Sequence, residues 1–252
     1  MKQLAVHYLP NLVSEHELAG ATVVVIDLLR ASTTICTALA NGAREVRPFL
    51  EIADTLQAAE GLDRTTVLLG GERGGRLIPG FDLGNSPAEY TSGRVGGKPI
   101  FFTTTNGTRA LRHARLAKRV IVGAIVNLSA VVEAVRNDPQ VHILCAGTGG
   151  EITREDVLAA GAFVNRLTLA SNDWQLTGPA DAARQQWLEL EVAARTAGRS
   201  LSEQLADELR RTPGGENLVA IGHHQDLRLC AQIDTLFVVP CFSPATGRIA
   251  LP

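Results

Sequence analysis

Carboxylate, guanidinium and amide side chains stand directly after four apolar runs of this 252-residue sequence. Asp27 and Arg30 follow the first of these runs, Glu72 another, Asn106 a third and Glu155 a fourth. Carboxylates are oxygen ligands that Mg²⁺ accepts, and arginine binds phosphate or carboxylate through two parallel hydrogen bonds. Together these residue types suit a small anion with several negative charges, with Mg²⁺ offsetting that charge.

A glycine-rich segment, residues 70–84, carries charged side chains between its glycines. Glycine leaves backbone N–H groups uncovered, so such a segment is suited to holding an anion. The alternative is a surface loop whose arginines are simply solvated. Its charged residues are Glu72, Arg73, Arg76 and Asp82.

Two helix starts are predicted from capping patterns. Ser86, Pro87 and Glu89 have the spacing of a capping box with proline at the first helical position. Thr153 and Asp156 have the same spacing before a later helix. The acidic residue of each pair therefore has a structural interpretation beside a functional one.

The elements that must position these side chains alternate between strand and helix. The unbroken β-branched run over residues 21–26 is typical of a strand buried on both faces of a parallel sheet. The pattern predicts an α/β fold, three-layer αβα with a mainly parallel sheet, as a single domain over residues 1–252 whose segment 172–222 is a helical appendage. Predicted strands cover 21–26, 45–50, 67–69, 99–103, 120–124, 141–146 and 236–240, and predicted helices cover 35–41, 52–60, 109–117, 128–136 and 153–169.

The polar residues follow the predicted strands, at their carboxyl ends. In an open parallel sheet these ends share one edge, and ligands bind in the crevice outside it. Residues that are distant in sequence are therefore expected to converge there.

Composition narrows the class of protein. A net charge of −2 gives no sign of a nucleic-acid or membrane partner, and the sequence shows neither a transmembrane run nor a signal peptide, so a cytoplasmic location is expected. The four cysteines are far apart and form no CxxC pair, which argues against a disulfide framework or a zinc site. No P-loop, GxSxG or GxGxxG motif follows a predicted strand. A small, multiply anionic substrate is the expected partner, with a homodimer as a mild expectation.

Several of these residues also have simpler interpretations. In these interpretations, Asp27 simply caps the next turn, and Arg30 serves only as the ion-pair partner of Asp27. Cys145 precedes a glycine-rich turn, as in phosphocysteine enzymes, but the arginine that such a loop needs is absent, and Glu151 stands there instead.

The motifs in their order resemble the 2-phosphosulfolactate phosphatase family, the ComB-like proteins of coenzyme M biosynthesis. The resemblance covers most of the chain, and it implies a Mg²⁺-dependent phosphatase that converts (2R)-2-phospho-3-sulfolactate and water to 3-sulfolactate and phosphate. The matching segments are residues 24–34, 71–75, 80–87, 104–108, 145–147, 155–156 and 160–161, with a weaker match at Asp226.

With that interpretation, the candidate site residues receive roles. Asp27, Arg30 and Glu72 are the catalytic candidates, and Mg²⁺ is held by Asp27 with Glu155 and Asp156. Water activated by the metal or by a carboxylate attacks phosphorus, or Asp27 forms a phospho-aspartate. Substrate-binding candidates are Ser32, Thr33, Asn85, Ser86, Thr104, Asn106 and Gly107.

Two alternative functions use the same crevice. One is a phosphatase for another phosphorylated hydroxy acid. The other is a non-catalytic binding protein for an anionic metabolite, which predicts binding without turnover and without a metal.

Overall fold

The computed structural model describes residues 1–252, and it has the predicted α/β fold with a large, mainly parallel sheet and helices in a three-layer αβα arrangement. The strands are β1 (Lys2–His7), β2 (Thr22–Ile26), β3 (Glu45–Phe49), β4 (Leu68–Arg73), β5 (Arg76–Leu77), β6 (Pro99–Thr103), β7 (Arg119–Val122), β8 (Gln140–Cys145), β9 (Trp174–Leu176), β10 (Cys241–Ser243) and β11 (Arg248–Ala250). The helices are α1 (Ala31–Ala40), α2 (Ile52–Ala59), α3 (Ser92–Val95), α4 (Gly107–His113), α5 (Leu128–Val135), α6 (Arg154–Ala170), α7 (Gly178–Thr196), α8 (Leu201–Arg210), α9 (Pro213–Ala220) and α10 (Gln225–Cys230).

The sheet has the strand order β5-β4-β6-β3-β11-β10-β7-β2-β8-β1-β9. Strands β4, β6 and β3 are parallel to one another, and so are β7, β2, β8, β1 and β9. Between these two groups lies the hairpin of β10 and β11, and its pairings with β7 and β3 are antiparallel, as is the pairing within it. Three successive reversals mean that the two parallel groups run in opposite directions.

Most predicted elements are confirmed within a few residues. Strand β2 is buried along its whole length, as its β-branched run predicts. Helix α1 ends just before Gly42, which adopts a φ of 87°. A left-handed conformation there is open to glycine without steric cost, so this residue stops the helix.

Several strand assignments are corrected. β1 and β9 were not predicted, because each is short or mixes polar and apolar residues. The predicted strand 236–240 is wrong, since the chain pairs in the sheet only from Cys241 onward. The glycine-rich segment is not a long loop at its start, because β4 continues to Arg73 and turns into β5.

Both predicted capping boxes are wrong. Neither Ser86 nor Thr153 makes a side-chain cap hydrogen bond, and residues Pro87–Glu89 form only a short 3-10 turn. Instead, Glu89 accepts the N–H of Gly84 at 2.9 Å. The hydroxyl of Ser86 and the carboxylate of Asp156 have other partners, which are described with the site.

The helical segment after α6 is packed into the main hydrophobic core. Trp187 of α7, Leu205 of α8, Leu218 of α9 and Leu227 of α10 all belong to the same buried cluster as the strands of the sheet. These helices therefore share one hydrophobic core with the sheet. No helix combines the length and the apolar character needed to cross a lipid bilayer.

Candidate active site

A pocket of about 170 Å³ lies where polar strand ends meet α9. Both groups of parallel strands contribute to it, since Asp27 follows β2 whereas Glu72 belongs to β4. Its full lining is Asp27, Leu29, Arg30, Glu72, Gly74, Gly75, Asn85, Thr105, Asn106, Thr148, Gly214, Asn217 and Leu218.

The convergence predicted from the sequence is present, but its geometry differs from the prediction. A small cavity of about 10 Å³ behind Asp27 is lined by Val25 and Val122 from one group of strands and by Pro48 and Phe102 from the other. The carboxyl ends of two oppositely directed groups therefore face each other, rather than sharing one edge of a single parallel sheet.

Asp27 sits at the centre of this junction and is 9% exposed. Its backbone N–H donates to the hydroxyl of Ser32 at 2.9 Å. Burial raises the pKa of Asp27 from 3.8 to about 7, and the nearby carboxylates of Glu72 and Glu155 add to the rise. A cation at this point would relieve that repulsion.

Glu155, at the start of α6, is 2% exposed, and its Oε2 atom has no hydrogen-bond partner. Burial raises the pKa of Glu155. Its Oε1 atom lies so close to Gly214 of α9 that a Cβ atom there would overlap it. A buried carboxylate oxygen without a partner is costly, so this atom points to a missing ligand.

Asp156 has a different environment from its neighbour. Its Oδ1 accepts the backbone N–H of Leu28 at 2.8 Å, and its Oδ2 accepts that of Gly147 at 3.0 Å. Burial and the charge of Asp27 hold the pKa of Asp156 well above its usual value. These contacts tie α6 to the turns after β2 and β8.

Glu72 is held by three donors. Its Oε1 accepts the backbone N–H and the hydroxyl of Thr105, both at 2.9 Å, and its Oε2 accepts the N–H of Gly75 at 2.7 Å. The carboxylate thus fastens the β4–β5 hairpin to the turn after β6 while lining the pocket.

One interpretation of the sequence expected Arg30 to pair with Asp27, but the structure shows no such pair. Its Nη1 donates to Asp226 at 2.7 Å, and its Nη2 donates to the backbone oxygen of Gly75 at 2.6 Å. The peptide bond between Leu29 and Arg30 is cis. Both members of the ion pair are almost fully buried, at 2% and 0% exposure, and only Arg30 reaches the pocket.

The predicted substrate-binding residues divide into three sets. Asn85 and Asn106 line the pocket, and Asn85 leaves its buried Oδ1 atom without a partner. Ser32, Thr104 and Gly107 line the small cavity behind Asp27.

The third set holds the protein backbone or other side chains. Thr33 donates its hydroxyl to the backbone oxygen of Leu28 at 3.2 Å, and Ser86 donates to Asp226 at 2.6 Å. Neither residue lines the pocket.

The other charged residues of the glycine-rich segment point elsewhere. Arg73 donates to the backbone oxygens of Glu72 and Leu50, and Asp82 pairs with the exposed Arg64 at 2.7 Å. Arg76 lies exposed in β5. These three residues, Arg73, Asp82 and Arg76, are absent from the pocket, which leaves Arg30 as its one cationic side chain.

The pocket residues contributed by α9 were not predicted from the sequence. Gly214, Asn217 and Leu218 line the pocket from a segment with little motif character. The paired glycines after Thr212 and Pro213 were the available signal, because a Cβ at either Gly214 or Gly215 would meet another part of the protein.

The donor set fits Mg²⁺. No three His, Cys, Asp or Glu side chains are grouped as a metal site, but Mg²⁺ commonly uses only one or two carboxylates and keeps several waters. Asp27 and Glu155 supply two such carboxylates, and the Oε2 atom of Glu155 has no hydrogen-bond partner that would compete with a cation. Both oxygens of Asp156 are already occupied by N–H groups.

Comparison with known proteins gives one consistent result. The family model described as 2-phosphosulpholactate phosphatase matches residues 7–244. A relative from Symbiobacterium thermophilum is 44% identical over 242 residues, covering 96% of this chain and 98% of the relative. Relatives from Caldanaerobacter subterraneus (37% identical, 91% of each chain) and Gloeobacter violaceus (38% identical, 94% of each chain) are similar over nearly their whole length. All three are named probable 2-phosphosulfolactate phosphatases. The chain therefore belongs to the 2-phosphosulfolactate phosphatase family.

Proposed function

We propose that this chain is a Mg²⁺-dependent phosphatase that hydrolyses (2R)-2-phospho-3-sulfolactate to 3-sulfolactate and inorganic phosphate. Family membership supports phosphomonoester hydrolysis, and the names of the relatives support that substrate. The observation that carries the proposal is the charge of the pocket. The carboxylates of Asp27 and Glu72 line the pocket with a single arginine, and the charges of Glu72 and Glu155 both act on Asp27.

That charge pattern supports a metal ion. The positive charge of Arg30 is matched by Asp226, so the other carboxylates have no cationic side chain opposite them in the pocket. A substrate bearing phosphate, sulfonate and carboxylate groups would be repelled from such a site. When bound, Mg²⁺ supplies positive charge that offsets these carboxylates and polarises the phosphoryl group.

The chain's own residues then have distinct tasks. Asp27 and Glu155 would hold the metal, and Arg30 would bind phosphoryl oxygens. Charge neutralisation and positioning are the main work in phosphoryl transfer. Asn85 and Asn106, which line the pocket, are the amides available to the carboxylate or sulfonate group.

Hydrolysis replaces the bond between phosphorus and the ester oxygen with one from phosphorus to a water oxygen. The attacking water loses a proton, and the departing alkoxide gains one. We assign a carboxylate that lines the pocket, Asp27 or Glu72, to accept the first proton. Direct attack by Asp27 is the alternative, and it would leave a phospho-aspartate that hydroxylamine traps.

The decisive experiment measures phosphate release from 2-phosphosulfolactate and from a panel of other phosphorylated hydroxy acids. Each substrate is tested with Mg²⁺ and with EDTA. We expect release that requires Mg²⁺ and is fastest with 2-phosphosulfolactate.

The other outcomes are equally informative. Faster release from another member of the panel discards the substrate but keeps the phosphatase. Binding of these anions by the folded protein without any release identifies a binding protein and overturns the proposed activity.

A further inference from the structure

Asp226 lies in α10, far in the sequence from the strands whose ends build the pocket. It is fully buried, at 0% exposure, and it is 196 positions from Arg30 in the sequence. The fold nevertheless brings the carboxylate of Asp226 against the turn that follows β2.

Each oxygen of Asp226 holds a different element. Its Oδ2 accepts Arg30 Nη1 at 2.7 Å, and its Oδ1 accepts the hydroxyl of Ser86 at 2.6 Å. His223 Nδ1 lies 3.6 Å from Oδ2. Asp226 itself does not line the pocket, so it acts on a ligand only through these neighbours.

Arg30 is held from two sides. While Asp226 takes one end of the guanidinium, the other end donates to the backbone oxygen of Gly75 in the β4–β5 turn. Two of the five N–H donors of the guanidinium are used in this way. The planar group is therefore fixed in one orientation at the pocket wall, where a phosphoryl group requires a preset donor fork.

Through Ser86, the same carboxylate also holds the segment that carries Asn85. The backbone oxygen of Asn85 accepts the hydroxyl of Thr34 at 2.8 Å, which fixes that segment to α1. Asp226 is thus in direct or indirect contact with two residues that line the pocket, Arg30 and Asn85.

We propose that Asp226 is a positioning residue that sets the orientation of Arg30 for phosphoryl binding. This inference rests on the proposed phosphatase function, and it assigns to the last helix a role in the arrangement of the site.

The test compares Asp226→Asn with the matched control Asp234→Asn. Asp234 also accepts hydrogen bonds, from Ser129, and pairs with an arginine, Arg166, but it does not line the pocket. We expect Asp226→Asn to lower kcat/KM by about 100-fold, the scale of a misplaced catalytic group. The control should retain wild-type kinetics.

A double-mutant cycle separates positioning from mere structural support. In an Arg30→Met background, Asp226→Asn should cost no more than about twofold further activity, because the group it orients is gone. An equal loss in both backgrounds, with wild-type phosphate binding, would assign Asp226 to stability alone and overturn the proposal.

Two readouts do not depend on turnover. We expect the separate guanidinium nitrogen resonances of Arg30 in NMR spectra to merge in Asp226→Asn, and the affinity for inorganic phosphate in calorimetry to fall at least tenfold. Unchanged spectra and phosphate affinity would contradict the proposal even if the wild type hydrolysed none of the tested esters. Failure of the phosphatase function alone would leave these two differences in place.

Discussion

The carboxylate of Asp156 accepts the backbone N–H of Leu28 at 2.8 Å, so the first turn of α6 holds the backbone directly after Asp27. Its second oxygen holds Gly147 in the turn after β8. The adjacent carboxylate, Glu155, instead keeps one oxygen without a partner. Two consecutive acidic residues therefore differ, because Asp156 holds the backbone with both oxygens, whereas Glu155 keeps one oxygen available to a ligand.

This contrast predicts that substitutions of Glu155 and Asp156 have effects of different size on metal binding. Glu155→Gln should weaken Mg²⁺ or Mn²⁺ affinity at least tenfold, because a carboxylate ligand becomes a neutral amide. Asp156→Asn should change that affinity by no more than about threefold, since its oxygens already accept N–H donors. Calorimetry with Mg²⁺ and electron paramagnetic resonance with Mn²⁺ measure both. A larger loss in Asp156→Asn than in Glu155→Gln would restore Asp156 as the ligand.

Gly214→Ala tests the role of Glu155 in metal binding by steric crowding rather than by loss of charge. The added Cβ would overlap Oε1 of Glu155, so either that side chain or α9 must shift. We expect cation affinity to fall severalfold and kcat/KM to fall about tenfold. Gly178→Ala is the control, because it also stands at the start of a helix but meets nothing within 4 Å. Equal behaviour of the two variants would contradict this steric account.

Asp27→Asn should remove activity yet stabilise the metal-free protein. Because folding raises the pKa of Asp27 from 3.8 to about 7, its charge opposes folding at pH 8. The relief is at most about 4 kcal/mol at 1.36 kcal/mol per pKa unit, and it falls to zero as the pH drops below 3.8, where the carboxyl is protonated in both states. Thermal melts in EDTA across this range, together with phosphate-release assays, measure both effects. A lower Tm for the variant at pH 8 would be the opposite of this expectation.

A histidine pair outside the pocket predicts acid sensitivity of the fold. His7 Nε2 and His142 Nδ1 are 2.8 Å apart, so one of these nitrogens must accept the hydrogen bond without a proton. Burial, followed by the nearby His142, lowers the pKa of His7 to about 4. Below pH 6.5 the unfolded state binds more protons than the folded state, so the pair's contribution to stability is lost as the pH falls from about 6.5 to 4.

The difference in the free energy of unfolding between wild type and His7→Gln isolates this contribution, since the buried carboxylates titrate in both proteins. We expect that difference to change by on the order of 1 kcal/mol across the window, after allowance for solvent screening. Replacement of the exposed His16 by Gln should leave the wild-type profile intact. Parallel profiles for wild type and His7→Gln would rule the pair out as the cause.

The predictable parts of the fold are those with strong local patterns. Strand β6 was predicted over its observed residues, because Pro99 precedes an apolar run that ends at a cluster of threonines. The buried run of β2 was equally clear. β9, by contrast, has only three residues, which is too short for a recognisable pattern, and it joins the sheet by pairing with β1.

The site shows the same division. Asp27, Arg30 and Glu72 were found because polar residues after buried strands stand out from their surroundings. The pairing of Arg30 with Asp226 depends on contacts across 196 positions, and no local pattern specifies it. The capping boxes failed for a related reason, since Ser86 and Asp156 form stronger contacts with distant groups.

The position of the β10–β11 hairpin sets an order for assembly during synthesis. Each parallel group can form among its own strands, but residues 241–250 are the only strands that join the two groups, and the ribosome makes them after all the others. Until they pair with β7 and β3, two sheet edges stay open and the two halves of the pocket are not linked through the sheet. The strand pairings that link the two groups therefore become possible only after every other strand has been synthesised.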